Sequence, residues 1–421
     1  MFLPHFGMAR KVFGSAPFFH PMRFLFTPVP PLLDELPAEE IARINRNSER
    51  YFDRPELKEF WQNKPFSDPD SAGWNLARFG QLILGLGIRR GTRILDFGCG
   101  TGWTSIMLAQ MGAEVVGMDI AVKALEIARE TASQTLSGEA LDRLRFEAYS
   151  GNQIPCADQY FDTILVFEAL HHLPNPRALF SEFHRVLAPN GWLGFAEPGV
   201  GHMESAASQM EMESGVLEQD LDLERLHRTG RAAGFQGLEL FLPMVDASSF
   251  SLPMTQARWY LRGIGRLAPS YLHRAYLLVA PIGIFWKGPY FLSSLHPRHL
   301  RARIRPLTKQ VACGAGETFQ IHAQVRNQTD TVWLKEGCRG TGYVRLGAHL
   351  LDCHQVIQNL DYGRSDLARN LRRKEEERLT LNLKAPETPG EYTVRLDMVN
   401  EGKCWFEKQG SRTADVPLHV R

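Results

Sequence analysis

Between residues 93 and 196 the chain alternates short apolar runs with amphipathic stretches. RILDF (93–97), EVVGMDI (114–120), 144–148, FDTILVF (161–167) and 192–196 read as strands. The run FDTILVF is apolar almost throughout, as in a strand buried on both faces. Residues 101–111, 122–132 and 176–187 carry apolar positions at helical spacing. Gly112 stands at the end of the first of these, and Pro176 opens the last, where a missing N–H costs nothing. Strands alternating with helices predict a doubly wound, mostly parallel α/β sheet. Residues 224–233 predict another helix, with Asp222 as cap and Gly234 as stop, and 238–242 another strand. Two further helical stretches, TQARWYLRGIG and PSYLHRAYLLVA, predict a helical insertion at about 246–280, after which 284–286 returns to the sheet.

Upstream, residues to about Pro31 read as an irregular arm. Residues 34–59 have helical spacing (Ile41, Ile44, Tyr51, Phe52). Residues 61–74, with Pro65 and Pro69, read as a loop, and 76–86 as a helix ending at Gly87. Beyond Pro306 the period changes. FQIHAQV (319–325), 343–346, LTLNL (379–383), YTVRLDM (392–398) and VPLHV (416–420) alternate apolar and polar residues between turn signals. That pattern predicts an all-β sandwich. RRKEEER (372–378) reads as a solvated loop. The expected domains are therefore 1–72 (arm and helices), 73–304 (α/β domain with the insertion) and 305–421 (sandwich).

Composition narrows the classes. In 421 residues, 48 Lys and Arg balance 47 Asp and Glu, so the net charge is +1 and no basic face for nucleic acid is expected. Apolar residues at 44% support a large core. The six cysteines form no CxxC pair, which predicts reduced thiols in a cytoplasmic protein. Proline and charged residues interrupt the aromatic N-terminus, leaving no signal-peptide core. The apolar stretch 275–286 is shorter than the roughly 20 residues a membrane span needs, so no span is expected, and interfacial contact stays open.

The chemistry concentrates in Asp96-Phe97-Gly98-Cys99-Gly100-Thr101-Gly102, between a strand and a helix. Glycines there let the backbone turn sharply and let a ligand come close. Asp119 ends the next strand, where a carboxylate can accept from both hydroxyls of an adenosine ribose. A dinucleotide fingerprint would need a third glycine where Trp103 stands.

ILDFGCGTG (94–102) and VVGMDI (115–120) closely resemble the first motifs of the class I S-adenosylmethionine-dependent methyltransferases. IPCADQYFDTILVFEALHHLPNP (154–176) and FHRVLAPNGWLGFAEP (183–198) resemble the later motifs of the small-molecule branch. The resemblance implies S-adenosyl-L-methionine as cofactor. Gly98 and Gly100 would line its methionine end, Asp119 and Ile120 its ribose and adenine, and Asp96, Gly102 and Phe167 would also lie at the cofactor. Where the family often has an acid beside adenine, Asn152 stands here. GVLEQDLDLERL, FWKG and the C-terminal region resemble bacterial methyltransferases of polysaccharide or other cell-surface glycan pathways, and the terminal module resembles Ig-like domains also found attached to bacterial glycosyltransferases, which implies an all-β Ig-like sandwich.

At the carboxyl edge of the sheet, His171 is the candidate general base, with Glu168 placed to orient it and His172 as fallback. Glu197 is a second catalytic candidate at the same edge. Trp405 could stack a sugar ring or fill the core. No HExxH or EF-hand spacing occurs, so no metal is expected. The expected reaction is O-methylation of a sugar or glycan precursor, with the C-terminal domain binding glycan or a protein partner. A quinone, lipid or natural-product acceptor and a non-catalytic ligand-binding adaptor stay open.

Overall fold

The computed structural model describes residues 36–149, 153–241, 280–297 and 299–421. The expected arm to Pro31, Asn152 and the insertion up to residue 279 lie outside the described residues. Backbone contacts divide the chain into two compact units, Met1–Gly288 and Pro289–Arg421. The second begins before the change of period at Pro306, because residues 289–301 already bond to its strands. Ser294 Oγ donates to the Gly342 carbonyl at 2.6 Å, and Asn400 Nδ2 donates to the Ser294 carbonyl at 2.7 Å.

The first unit is built on β1 (Arg93–Phe97), β2 (Glu114–Asp119), β3 (Leu144–Ala148), β4 (Phe161–Phe167), β5 (Leu187–Ala196), β6 (Gly237–Leu240) and β7 (Ile282–Trp286). Their order is β3-β2-β1-β4-β5-β7-β6. The first five strands run parallel, and β7 is antiparallel to both β5 and β6. The end of the apolar stretch 275–286, Ile282–Trp286, is thus a largely buried strand. Among the described residues no helix is long and apolar enough to cross a membrane.

Helices α1 (Ala38–Phe52), α2 (Lys58–Gln62) and α3 (Pro69–Leu86) precede the sheet. The loop expected over 61–74 is therefore short. Pro69 starts α3 instead of breaking it, since the first turn has no use for a proline N–H. After β1 comes α4 (Trp103–Gln110), after β2 α5 (Val122–Thr135) and the short α6 (Glu139–Asp142), and after β4 α7 (Pro176–Val186). Between β5 and β6 lie α8 (Ala206–Glu213) and α9 (Leu223–Ala232). Asp222 caps α9 by accepting from the Arg225 N–H at 3.1 Å, and Gly234 follows at φ +106°. Phe180 and Phe183 of α7 pack with Phe97, Phe195, Phe235 and Phe285 in one buried aromatic core.

The second unit holds β8 (Ala302–Pro306), β9 (Val311–Cys313), β10 (Thr318–Asn327), β11 (Val344–Leu351), β12 (Ile357–Asp366), β13 (Glu376–Lys384), β14 (Gly390–Asn400), β15 (Cys404–Trp405) and β16 (Ala414–Val420). They form one sheet ordered β13-β10-β8 and another ordered β12-β11-β14-β16-β9, with β15 on β14. Both sheets contribute to one core, with Ile321, Val325 and Leu381 from the first and Leu346, Leu396 and Leu418 from the second. The charged run 372–378 is only partly loop: Glu376, Glu377 and Arg378 pair with Arg326, Val325 and Gln324 as the start of β13. Strand β12 escapes the apolar pattern because most of its side chains are exposed.

Candidate functional site

The glycine loop lies where β1 meets α4, and each glycine has its own surroundings. Gly98 has φ +71°, and a Cβ there would stand 2.3 Å from the Ala169 Cβ, so the loop touches the turn after β4. Gly100 has φ +52° and faces open space, with nothing within 4 Å of an added Cβ. Its N–H donates to Asp119 Oδ2 at 2.8 Å, while Asp119 Oδ1 accepts from the Ala121 N–H at 2.9 Å. Gly102 caps α4 and packs on Phe146 and Ala128 rather than facing a ligand space.

Asp119 is buried at the end of β2 with Ile120 half-buried beside it. Burial raises its carboxyl, and the N–H groups of Ala121 and Gly100 oppose that rise. Each carboxylate oxygen keeps a second lone pair, which fits a ribose diol. Asp96 is 1% exposed and works inside the loop. Its Oδ2 accepts from Thr104 Oγ1 at 2.6 Å and Ser105 Oγ at 2.5 Å, and burial pushes its pKa up to about 6. Phe167 is buried at the end of β4, against Trp103 (5.3 Å) and Phe79 (5.9 Å).

Arg78, on α3, escaped the sequence reading because it sits inside an ordinary amphipathic helix. It is 2% exposed, with its guanidinium over Phe167 at 5.5 Å and paired to Glu168 Oε1 at 2.5 Å. Its Nε and Nη2 are buried without a hydrogen-bond partner. These two atoms form one edge of the guanidinium fork, the shape that takes a carboxylate in bidentate fashion. An open glycine face, a ribose-ready carboxylate and an orphaned guanidinium edge together fit an amino-acid nucleoside such as S-adenosylmethionine.

Beyond the turn after β4, His171 and Glu197 form a second cluster. Glu197 has no exposed surface. Its Oε1 accepts from the N–H groups of Ala169 (2.8 Å) and Leu170 (3.0 Å), and its Oε2 lies 2.7 Å from His171 Nδ1. Burial pushes this carboxyl up, but the His171 hydrogen bond and charge and the two backbone donors outweigh it and hold it below the usual range. Glu197 is thus an ionised acceptor that fixes the proton on Nδ1 of His171 and leaves Nε2 with its lone pair. Glu168 does not orient His171 as the i,i+3 spacing suggested. It has φ +52° and turns to Arg78 instead. Burial, then the neighbouring His172, lowers the pKa of His171.

His172 Nδ1 lies 2.7 Å from the Leu217 carbonyl and 3.1 Å from Glu218 Oε1. Burial disfavours its charge, but the hydrogen bond and charge of Glu218 prevail and set its pKa at about 9. Glu218 also receives Ser208 Oγ at 2.7 Å and lies 2.8 Å from His202 Nε2. Helix α1 closes over this region: Tyr51 Oη donates to Glu211 Oε1 at 3.2 Å and Asn47 Nδ2 to the Gly215 carbonyl at 2.9 Å. His202, Glu211 and Glu218 were not foreseen. Only Glu218 carried a signal, an acidic run, EQDLD, that is buried rather than solvated over most of its length. In the second unit, Trp405 is packed by Arg364 (4.3 Å), His349 (4.1 Å) and Gly347.

Residues 95–195 match the family model described as "Methyltransferase domain". The chain is 30% identical over 198 residues to Methyltransferase GfsG of Streptomyces halstedii, covering 46% of this chain and 69% of that protein. It is 35% identical over 108 residues to the ubiquinone biosynthesis O-methyltransferase of Actinobacillus pleuropneumoniae, covering 25% of this chain and 45% of the relative. It thus spans less than half the length of that second relative. A phosphoethanolamine N-methyltransferase 2 of Haemonchus contortus, solved with S-adenosyl-L-methionine, superposes with TM-score 0.40 at 19% identity, covering 58% of this chain and 60% of that one.

Proposed function

Since the chain belongs to the class I S-adenosylmethionine-dependent methyltransferases, we propose that it methylates a hydroxyl of a sugar or glycan precursor in cell-surface polysaccharide synthesis. Its cofactor is S-adenosyl-L-methionine, which supplies an electrophilic methyl group. In this reading Asp119 accepts from the ribose hydroxyls, Gly98 and Gly100 admit the methionine end, and Arg78 takes its carboxylate on the free guanidinium edge. Asp96 and Gly102 keep the loop in shape, and Phe167 walls the site. Asn152 is proposed beside the adenine.

The carrying observation is the buried Glu197–His171 pair at the carboxyl edge of β4 and β5, with Nε2 of the imidazole left to act. A sugar hydroxyl is a poor nucleophile at neutral pH, and an imidazole within hydrogen-bond reach removes its proton as the methyl transfers. Glu197 acts through His171 and is a positioning residue. The rest of the rate comes from aligning oxygen and methyl, an effect that can supply several kcal/mol. The second unit is proposed to be an Ig-like sandwich that binds glycan or a protein partner, and the enzyme to work in the cytoplasm.

A second reading, a phenolic quinone precursor as acceptor, is favoured by the likeness to a ubiquinone biosynthesis O-methyltransferase. The test is formation of S-adenosylhomocysteine with panels of glycosides, nucleotide sugars and dihydroxyphenols. Turnover on a sugar hydroxyl is the expected result. Turnover on phenols alone selects the second reading, and none on any acceptor leaves a ligand-binding adaptor.

A further inference from the structure

Three turns from separate parts of the chain bring His171 Nε2, His202 Nε2 and a Glu218 carboxylate oxygen within 4.8 Å of one another. Glu218 Oε2 is 2.8 Å from His202 Nε2 and 3.9 Å from His171 Nε2. Donors of a tetrahedral zinc ion, each about 2.0–2.1 Å from the metal, stand about 3.3 Å apart, between those two distances. We propose that His171, His202 and Glu218 form a binding site for a divalent transition-metal ion at the acceptor edge of the sheet.

Four observations carry this. The first is the tautomer of His171. Metal-bound histidines characteristically give their other ring N–H to a carboxylate, which orients the ring and raises its basicity. Glu197 does this to Nδ1 at 2.7 Å and so aims the Nε2 lone pair at the other two donors. The second is burial of the ligand carboxylate. The Glu218 side chain is 1% exposed, and its Oε2, which accepts from Ser208 Oγ at 2.7 Å, is the oxygen that faces both histidines. A buried carboxylate costs free energy unless something positive meets it.

The third is how the ligands are held. Three consecutive residues do the fastening. Glu218 supplies the ligand. Gln219 Nε2 donates to the carbonyls of His171 (3.3 Å) and Leu173 (3.0 Å), which fixes the turn bearing the first histidine. Asp220 accepts from the N–H groups of Gly201 (2.8 Å) and Met203 (3.0 Å), which fixes the turn bearing the second. The fourth is charge. Glu197 and Glu218 bring two buried carboxylates to the two sides of His171, and a doubly charged ion offsets charge there that would be costly to bury bare. Two imidazoles and one carboxylate suit zinc, cobalt, iron or manganese better than magnesium or calcium, which prefer all-oxygen shells. Three protein ligands leave positions for water or an acceptor oxygen.

The proposal depends on the preceding reading only in taking this edge as the acceptor side. It adds one consequence: an ion on Nε2 would occupy the lone pair that the preceding reading uses as the base, so in the loaded protein the ion would lower the pKa of the bound hydroxyl and the proton would pass to water. No fixed spacing in the chain announces such a site, since its ligands lie at positions 171, 202 and 218.

The test uses the full chain, stripped with a chelator and titrated with cobalt(II). One equivalent should bind with visible d–d absorption, and zinc should displace it. His202→Gln and Glu218→Gln should weaken binding by about 100-fold or more, beyond the 10–100-fold expected for the outer partner in Glu197→Gln. His349→Gln, at a second His–carboxylate group in the other unit, should leave binding unchanged. No saturable binding by the wild type, or unchanged binding in both ligand variants, overturns the proposal. If the variants do not fold, X-ray absorption at the cobalt edge of the wild type decides: two imidazole nitrogens are expected, and a shell of oxygens alone overturns it. None of these readouts depends on methyl transfer, so a failure of the sugar-hydroxyl reading would show separately.

Discussion

His171 Nδ1 and Glu197 Oε2 lie 2.7 Å apart, both without appreciable solvent exposure, at the ends of two adjacent parallel strands. A carboxylate that cannot donate sets the tautomer of the ring, and with it the nitrogen that keeps a lone pair. His171→Ala should therefore lower turnover by about 100-fold or more, the scale for losing an acid–base group, and leave cofactor affinity nearly unchanged. Glu197→Gln should also lower kcat while sparing cofactor binding. Steady-state turnover beside calorimetric cofactor titration checks both; near-normal turnover in His171→Ala removes the ring from the chemistry.

Asp119→Ala should weaken S-adenosylmethionine binding by about 1.5–3 kcal/mol, the range for hydrogen bonds to a charged group. Calorimetry on the purified variant reads this directly. Unchanged affinity would place the ribose elsewhere.

Arg78→Met keeps much of the apolar stem and removes the fork. It should weaken S-adenosylmethionine and S-adenosylhomocysteine alike, about 10-fold or more for a lost charged hydrogen-bond pair. A cofactor fragment without the amino-acid portion, such as methylthioadenosine, should bind wild type and variant equally. A drop for that fragment as well would make Arg78 a folding residue only.

Burial pushes Asp96 up to about 6 against the pull of the Ser105 and Thr104 hydroxyls. The folded chain therefore holds a proton that the unfolded chain has already released, so this group's contribution to stability is present at low pH. It is lost as pH rises from about 4 to about 6, by as much as about 3 kcal/mol. Asp96→Asn keeps an acceptor for both hydroxyls without the charge, and should flatten that part of the stability–pH curve. Denaturant midpoints across this range, wild type against variant, measure it; parallel curves would contradict the assignment.

A chain ending at Gly288, where the first unit ends, should stay folded and bind cofactor within about threefold of the full length. Aggregation, or a loss of more than tenfold, would make the second unit part of the cofactor-binding body.

The geometry of the glycine loop and Asp119 was legible because its signals are local. RILDF, the three glycines and Asp119 lie in 27 residues whose strand–turn–helix order is fixed by apolar runs and backbone freedom. The surroundings of His171 were not, because its partners meet only through the fold. The i,i+3 spacing offered Glu168 to His171, yet the partner is Glu197, 26 residues away and brought beside it by the β4–β5 pairing. Arg78 sits on a helix whose spacing signals burial and says nothing of a missing hydrogen-bond partner. The strand β12 was missed for the opposite reason: its exposed side chains erase the alternation that marks its neighbours.

Glu218, Gln219 and Asp220 each fasten something different, and their order along the chain matters. Deleting one residue among them would shift the ligand and both clamps together, whereas added length before Gly215 or after Asp222 would leave all three in register. The triplet, with histidines on the two turns it holds, is therefore a signature that can be searched for in genomes. Chains that share the glycine loop but lack Glu-Gln-Asp should differ from this one in what they methylate rather than in how they hold the methyl donor.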